Sequence, residues 1–170
     1  MPSESTQKHR EDAVKNPAVA ILTVSDTRTI ETDLGGKLIE DLCRKEGFNV
    51  VSRQIVTDDV EPIQSAVRTM LNGEICDAVL VTGGTGLAAR DCTVDAVESL
   101  YDALIPGYGE LFRMLSYADI GPAAMLSRAS AGRVGRKVIL TMPGSTAGVR
   151  LAMEKLILPE LPHLLHHAGK

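Results

Sequence analysis

Tryptophan is absent, and aromatic residues make up only 3% of the 170-residue chain. So small a supply leaves little for base-stacking platforms or aromatic cages. A basic excess is missing too. Lys and Arg number 18 against 22 Asp and Glu, a formal charge of −4, which argues against general nucleic-acid binding. No run approaches the ~18 uninterrupted apolar residues of a membrane span. Met1 to Asn16 is polar and charged, without the apolar stretch of a signal peptide. Cysteine is scarce: Cys43, Cys76 and Cys92 form no CxxC pair and leave one over. A reduced, cytoplasmic compartment is therefore expected, with small molecules rather than nucleic acid or membrane as partners.

What is present is ordinary for a globular domain, with 44% hydrophobic and 24% charged residues. The length predicts one domain, large enough to bury roughly 70% of its unfolded surface. Residues 1–17 read as a disordered arm ending at Pro17, and 18–167 as the domain. There, apolar runs at 18–24, 48–56, 77–82 and 137–142 predict strands. Periodic segments at 35–46, 60–72, 93–101, 108–118, 145–158 and 159–167 predict helices. Strands spaced by helices indicate βαβ units: an α/β fold with a parallel sheet and helices on both faces.

In such a sheet ligands bind outside the carboxyl ends of the strands. Four polar, glycine-rich loops lie there: Ser25-Asp26-Thr27, Thr57-Asp58-Asp59, Gly83-Gly84-Thr85-Gly86 running on to Arg90-Asp91-Cys92-Thr93, and Pro143-Gly144-Ser145-Thr146. All four should open on one edge. The glycine cluster suits a phosphate cradle, since glycine allows close backbone approach and successive N–H groups form an anion nest. A tight turn is the plainer alternative. Asp58 and Asp91 lie on neighbouring loops, and two carboxylates beside phosphates suit Mg²⁺. Either could instead cap a helix, as could Asp59, Thr93 or Ser145. Gly84 to Ala89 also matches G-x-G-x-x-A, but it follows the third strand rather than the first, so a nicotinamide or flavin enzyme is the weaker reading. Between Ile120 and Met153 there is no acid, while Arg128, Arg133, Arg136, Lys137 and Arg150 give +5. This basic third is expected to draw a small anion. His163, His166 and His167, at i, i+3 and i+4, could hold a metal; a frayed polar helix end is the plainer account. Cys92 has no partner His in sight and is not expected to be a nucleophile.

Five ordered motifs carry a family resemblance: Ala20-Ile21-Leu22-Thr23-Val24-Ser25-Asp26; Val81 to Gly86 with Arg90-Asp91-x-Thr93; Pro106-Gly107-x-Gly109-Glu110; Met125-Leu126-Ser127-Arg128; and Met142-Pro143-Gly144-Ser145. Over about residues 18–165 the chain resembles the MoaB/Mog family of molybdenum-cofactor biosynthesis proteins, related to gephyrin G domains. The resemblance implies a three-layer α/β/α fold with a mostly parallel sheet. It implies molybdopterin binding, and adenylylation of molybdopterin by ATP with Mg²⁺ and release of pyrophosphate. On this basis Asp58 and Asp91 are expected to be catalytic and to hold the metal. Ser25, Asp26, Thr82, Gly83, Gly84, Thr85, Gly86, Arg90, Thr93, Ser127, Arg128, Pro143, Gly144 and Ser145 are expected to bind nucleotide and pterin. A homotrimer or homohexamer is implied, with other molybdenum-cofactor enzymes as possible partners. Leu87 stands where the family usually has proline. Glu110 to Ser116 and Met142 to Thr146 look closer to the MoaB branch, which leaves a non-catalytic molybdopterin carrier as the alternative.

Overall fold

A computed structural model describes residues 14–73 and 75–170. Most of the arm expected over 1–17 lies outside the described residues. Its last part touches the domain: the Val14 N–H donates to the Pro162 carbonyl at 3.3 Å, and the Pro17 carbonyl accepts from Asn49 at 2.9 Å.

Six strands form one sheet: β1 (Ala18–Val24), β2 (Asn49–Val56), β3 (Ala78–Thr82), β4 (Ala103–Leu104), β5 (Ala131–Val134) and β6 (Lys137–Met142), in the order β2-β1-β3-β6-β5-β4. The first four in that order run parallel, and β5 and β4 join antiparallel. Every residue of β1 and β3 is buried. Burial on both faces is why these strands read as unbroken apolar runs. Successive side chains of one strand feed opposite layers. Val19, Ile21 and Leu80 enter one core, and Ala20, Leu22, Val79 and Val81 the other. The result is the expected α/β/α arrangement with a mostly parallel sheet.

The helices are α1 (Leu34–Glu46), α2 (Val60–Asn72), α3 (Thr93–Glu98), α4 (Pro106–Ile120), α5 (Thr146–Ala152) and α6 (Leu158–Ala168). Asp33 caps α1 by accepting from the Gly36 N–H, and Gly47 ends it in the left-handed region. Amphipathic α2 buries Ile63, Val67 and Met70 against the second core. Helix α3 is shorter than its sequence pattern, stopping at Ser99, whose hydroxyl donates to the Ala96 carbonyl at 2.7 Å. A 3-10 turn (Gly121–Leu126) follows α4, and a π turn (Met153–Ile157) joins α5 to α6. Pro159 has no N–H to return to the preceding turn, and just before it the Leu158 N–H donates to the Met153 carbonyl, the wider π spacing.

Strands β4 and β5 escape the sequence pattern. β5 reads Ala-Gly-Arg-Val, without an apolar run. Its Gly132 lies under the Tyr101 ring, where an added Cβ would meet ring carbons at 2.2 Å. β4 has only two residues, both exposed.

Candidate functional site

Parallel β1, β2, β3 and β6 deliver their carboxyl ends to one rim, and the four loops meet there. The centre is the backbone from Gly83 to Gly86. Gly83 has φ +96°, and a Cβ on it would stand 2.3 Å from the Val24 carbonyl oxygen. Gly144 presses on it from the β6 loop, with its Cβ position 3.3 Å from the Gly83 Cα. This glycine-on-glycine contact separates two hollows. The larger, about 450 Å³, is lined by Gly83, Gly84, Thr85, Gly86, Asp91, Ser127, Pro143, Gly144 and Ser145 on the loop side. Phe112, Ser116, Asp119, Ile120, Leu126 and Leu151 close its other wall. The smaller, about 210 Å³, includes Thr23, Asp33, Gly35, Thr82 and Gly83.

Asp58 and Asp91 flank the same loop. A Cβ on Gly84 would meet the Asp58 oxygens at 2.7 and 2.9 Å and the Thr93 Oγ1 at 2.2 Å. A Cβ on Gly86 would meet Asp91 Oδ2 at 2.6 Å. A side chain at either position would displace the carboxylate beside it. Neither aspartate caps a helix. Asp58 Oδ1 accepts from the Cys92 N–H at 3.2 Å and from its thiol at 3.3 Å. Asp91 Oδ2 accepts from the Ala88 N–H at 2.8 Å. Asp59 stands at the start of α2 without a side-chain cap bond. Thr93 is fully buried, and its hydroxyl, beside Asp58, has no hydrogen-bond partner. An orphaned buried hydroxyl is uncommon and costs about 1–3 kcal/mol of desolvation.

The remaining expected binding residues divide by position. Ser145 Oγ caps α5, accepting from Gly148 at 3.1 Å. Thr82 Oγ1 donates to the Pro143 carbonyl at 3.0 Å and braces the β3 and β6 loops. Ser25 Oγ accepts from Thr27 and Arg28 within its own turn. Asp26 accepts the Asp58 N–H at 3.0 Å and Arg90 Nη2 at 2.7 Å, while Arg90 Nη1 reaches Asp59 at 3.2 Å. Asp26 and Arg90 therefore tie three loops together outside the larger hollow. The Asp58 N–H, then Arg90, hold the Asp26 carboxyl below the usual carboxylate range. Arg128 grips the far end of the glycine loop: Nε donates to the Gly86 carbonyl at 2.9 Å and Nη2 to the Asp91 carbonyl at 2.5 Å. Its Nη1 meets Asp95 at 2.9 Å. Burial, then Asp58, pushes the Cys92 thiol up to about 11. At neutral pH it is a protonated donor rather than a nucleophile.

No cationic side chain of the basic third lines the larger hollow. Among the described residues of its wall there is no Lys or Arg, and there are two acids, Asp91 and Asp119. Arg133 bonds the Gly135 carbonyl, Arg136 the Gly169 carbonyl, Lys137 the Leu71 and Gly73 carbonyls, and Arg150 pairs with Glu154. Residues of α4 and the 3-10 turn were missed as wall residues because they follow no sheet-rim strand. Their signal in sequence is faint: small Ser116 recurs on the buried side of α4, four residues after Phe112.

Comparison with known proteins bears on the family of the chain. A family profile described as "Probable molybdopterin binding domain" matches residues 20–163. Molybdenum cofactor biosynthesis protein B of Bacillus cereus is 53% identical over 161 residues, covering 94% of this chain and 95% of its own. A crystal structure of a molybdenum cofactor biosynthesis protein B superposes with a TM-score of 0.89 at 53% identity, covering 91% of this chain and 96% of that one. The tungsten cofactor synthesizing protein MoaB of Pyrococcus furiosus gives 0.84 at 33% identity, covering 93% and 100%.

Proposed function

The chain belongs to the molybdopterin-binding family of molybdenum-cofactor biosynthesis proteins, and from that membership we propose that it adenylylates molybdopterin with ATP. The cofactor is Mg²⁺, and pyrophosphate is the second product. One observation carries the reading. Two carboxylates and an orphaned hydroxyl gather on a single glycine loop, beside a hollow whose described wall has no basic side chain. Such a wall repels a free polyphosphate and suits one that arrives with a divalent cation. Mg²⁺ binds through one or two carboxylates plus substrate phosphates, and Asp58 and Asp91 are the residues that would hold it. When bound, it draws charge from the α-phosphorus and the departing pyrophosphate.

The protein's own share is positioning and electrostatics. Gly83 to Gly86 let the backbone approach the phosphates without a side chain between. Phe112, Ile120, Leu126 and Leu151 offer apolar surface for ring systems. Arg128 and the Asp26–Arg90 tie hold the two aspartate loops in register. An oxygen of the molybdopterin phosphate forms the new bond to the α-phosphorus. The bond from that phosphorus to the β-bridging oxygen breaks, and its electron pair leaves with pyrophosphate. The attacking group is already an anion, so no general base is needed.

The chain is also read as a homo-oligomer, a trimer or a pair of trimers. Support comes from an exposed apolar stripe on α4, Leu111, Met114, Tyr117 and Ile120, continued by Met125 and Leu126; patches of this kind mark interaction surfaces. Light scattering tests it.

For the reaction, the purified chain is incubated with molybdopterin, ATP and Mg²⁺. Pyrophosphate and adenylylated pterin are expected in equal amounts, and Asp91→Ala is expected to abolish turnover while retaining pterin. Pterin held but unchanged by the wild-type chain would replace the enzyme with a carrier.

A further inference from the structure

The three C-terminal histidines take no part in the site above, and the fold gives two of them a defined geometry. His163 and His167 stand one helical turn apart on α6, so both rings share one face. Leu161 and Leu165 anchor the helix in the core beneath. The two Nε2 atoms face each other at 2.9 Å, with ring centroids 4.6 Å apart and planes at 77°. The Glu160 carboxylate contacts Nδ1 of His163. That contact holds the ring proton at Nδ1 and leaves the Nε2 lone pair turned toward His167. A carboxylate behind an imidazole is the usual outer support of a metal-bound histidine.

We propose that His163 and His167 form a two-nitrogen site for a late divalent transition-metal ion, Cu²⁺ or Ni²⁺, on the outer face of α6. The ligand type selects the ion. The 2.9 Å separation is that of a hydrogen bond between the rings and shows that one side-chain rotation brings both nitrogens to a shared ion. Imidazole suits Cu²⁺ and Ni²⁺, and among first-row divalent ions affinity rises through Ni²⁺ to a maximum at Cu²⁺ and falls again at Zn²⁺. On binding, the proton shared between the two Nε2 atoms moves to Nδ1 of His167, so each ring gives one lone pair to the metal. Among the described residues no three His, Cys, Asp or Glu groups converge to hold a metal; water completes the coordination. His166 lies to the side, its ring centroid 5.7 Å from that of His167, and is not a ligand.

The test uses the full chain without nucleotide or pterin, so its outcome is independent of adenylyl transfer. Copper is titrated by calorimetry, and the bound ion is read by electron paramagnetic resonance. One Cu²⁺ per chain with a tetragonal spectrum split by two nitrogens is expected, and Zn²⁺ should bind more weakly. His163→Gln and His167→Gln should each weaken Cu²⁺ binding by about tenfold or more, and Glu160→Gln by less. His166→Gln should leave it unchanged, with circular dichroism confirming that every variant is folded. Wild-type Cu²⁺ affinity in His163→Gln or His167→Gln would overturn the site. So would an equal loss in His166→Gln, which would mean an unstructured polyhistidine end.

Discussion

Replacing Asp91 by Asn should move nucleotide affinity in opposite directions with and without metal. Asp91 lines the larger hollow, whose described wall has no basic side chain. A unit charge about 5 Å from a phosphate charge interacts at about 3 kcal/mol for an effective dielectric of about 20. Asp91 is half-buried, and water and salt with a Debye length of about 8 Å reduce this to about 1 kcal/mol. That is roughly fivefold in affinity. Asn keeps a carbonyl oxygen to accept the Ala88 N–H that Asp91 Oδ2 now accepts, so the loop is preserved. In EDTA the variant should therefore bind ATP about fivefold tighter than the wild type. In Mg²⁺ the order should reverse, and pyrophosphate release should disappear. Calorimetry under the two conditions reads both signs. Metal-free binding no tighter in Asp91→Asn, or turnover that survives it, would refute the electrostatic argument.

Thr93→Val removes a buried hydroxyl that has no partner and keeps the shape of the side chain. Its melting temperature should stay level or rise, while Mg²⁺-dependent turnover should fall if that hydroxyl serves the ligand; a drop in stability would show that the hydroxyl is satisfied in the folded chain. Gly83→Ala places a Cβ 2.3 Å from a backbone carbonyl at φ +96°. About 3 kcal/mol of destabilisation is expected from such strain, or roughly 6–12 °C in Tm for a chain of this size, read by calorimetric melting. Cys92, with its thiol near 11, should react slowly with iodoacetamide at pH 7.5, and the rate should rise about tenfold per pH unit toward 11 as thiolate forms. Asp58→Asn removes a carboxylate that disfavours the thiolate, so alkylation at a given pH should speed up, as followed by mass spectrometry. The same group, and Cys43, pushed up to about 12 by burial, favour the folded state through their neutral thiols. Their contribution is complete below the ordinary value of 9.0 and is lost as pH rises toward 11 and 12, a decline that urea titration at stepped pH would show.

The four parallel strands were legible because burial on both faces forces continuous apolar runs, and the ends moved by a residue where a cap intervenes. The apolar run starting at Phe48 predicts it in β2, but its N–H donates to the Cys43 carbonyl at the end of α1. The antiparallel pair was illegible for a different reason. β5 is held by register with β6 and by the fit of Gly132 beneath Tyr101, and both depend on residues distant in sequence. Two predicted helices, 145–158 and 159–167, run through a π turn, since a proline reads as a boundary whether or not the backbone can pass it.

The site shows the same division. Topology sends parallel strand ends to one rim, so the order of strands and loops in the sequence is enough to bring Asp58, Asp91 and the glycines together. Charge could not be assigned that way. Arg128 holds the Gly86 and Asp91 carbonyls, and Arg90 bridges Asp26 and Asp59, partners that the charge pattern alone does not name. A guanidinium finds its partner through a fork of fixed N–H directions, and those directions exist only once the loops are folded. The same geometry reverses the sign expected inside the hollow. With its nearest cations drawn off to structural carbonyls and carboxylates, the described wall is acidic, and under the function proposed above a divalent ion is the condition for binding a phosphate there.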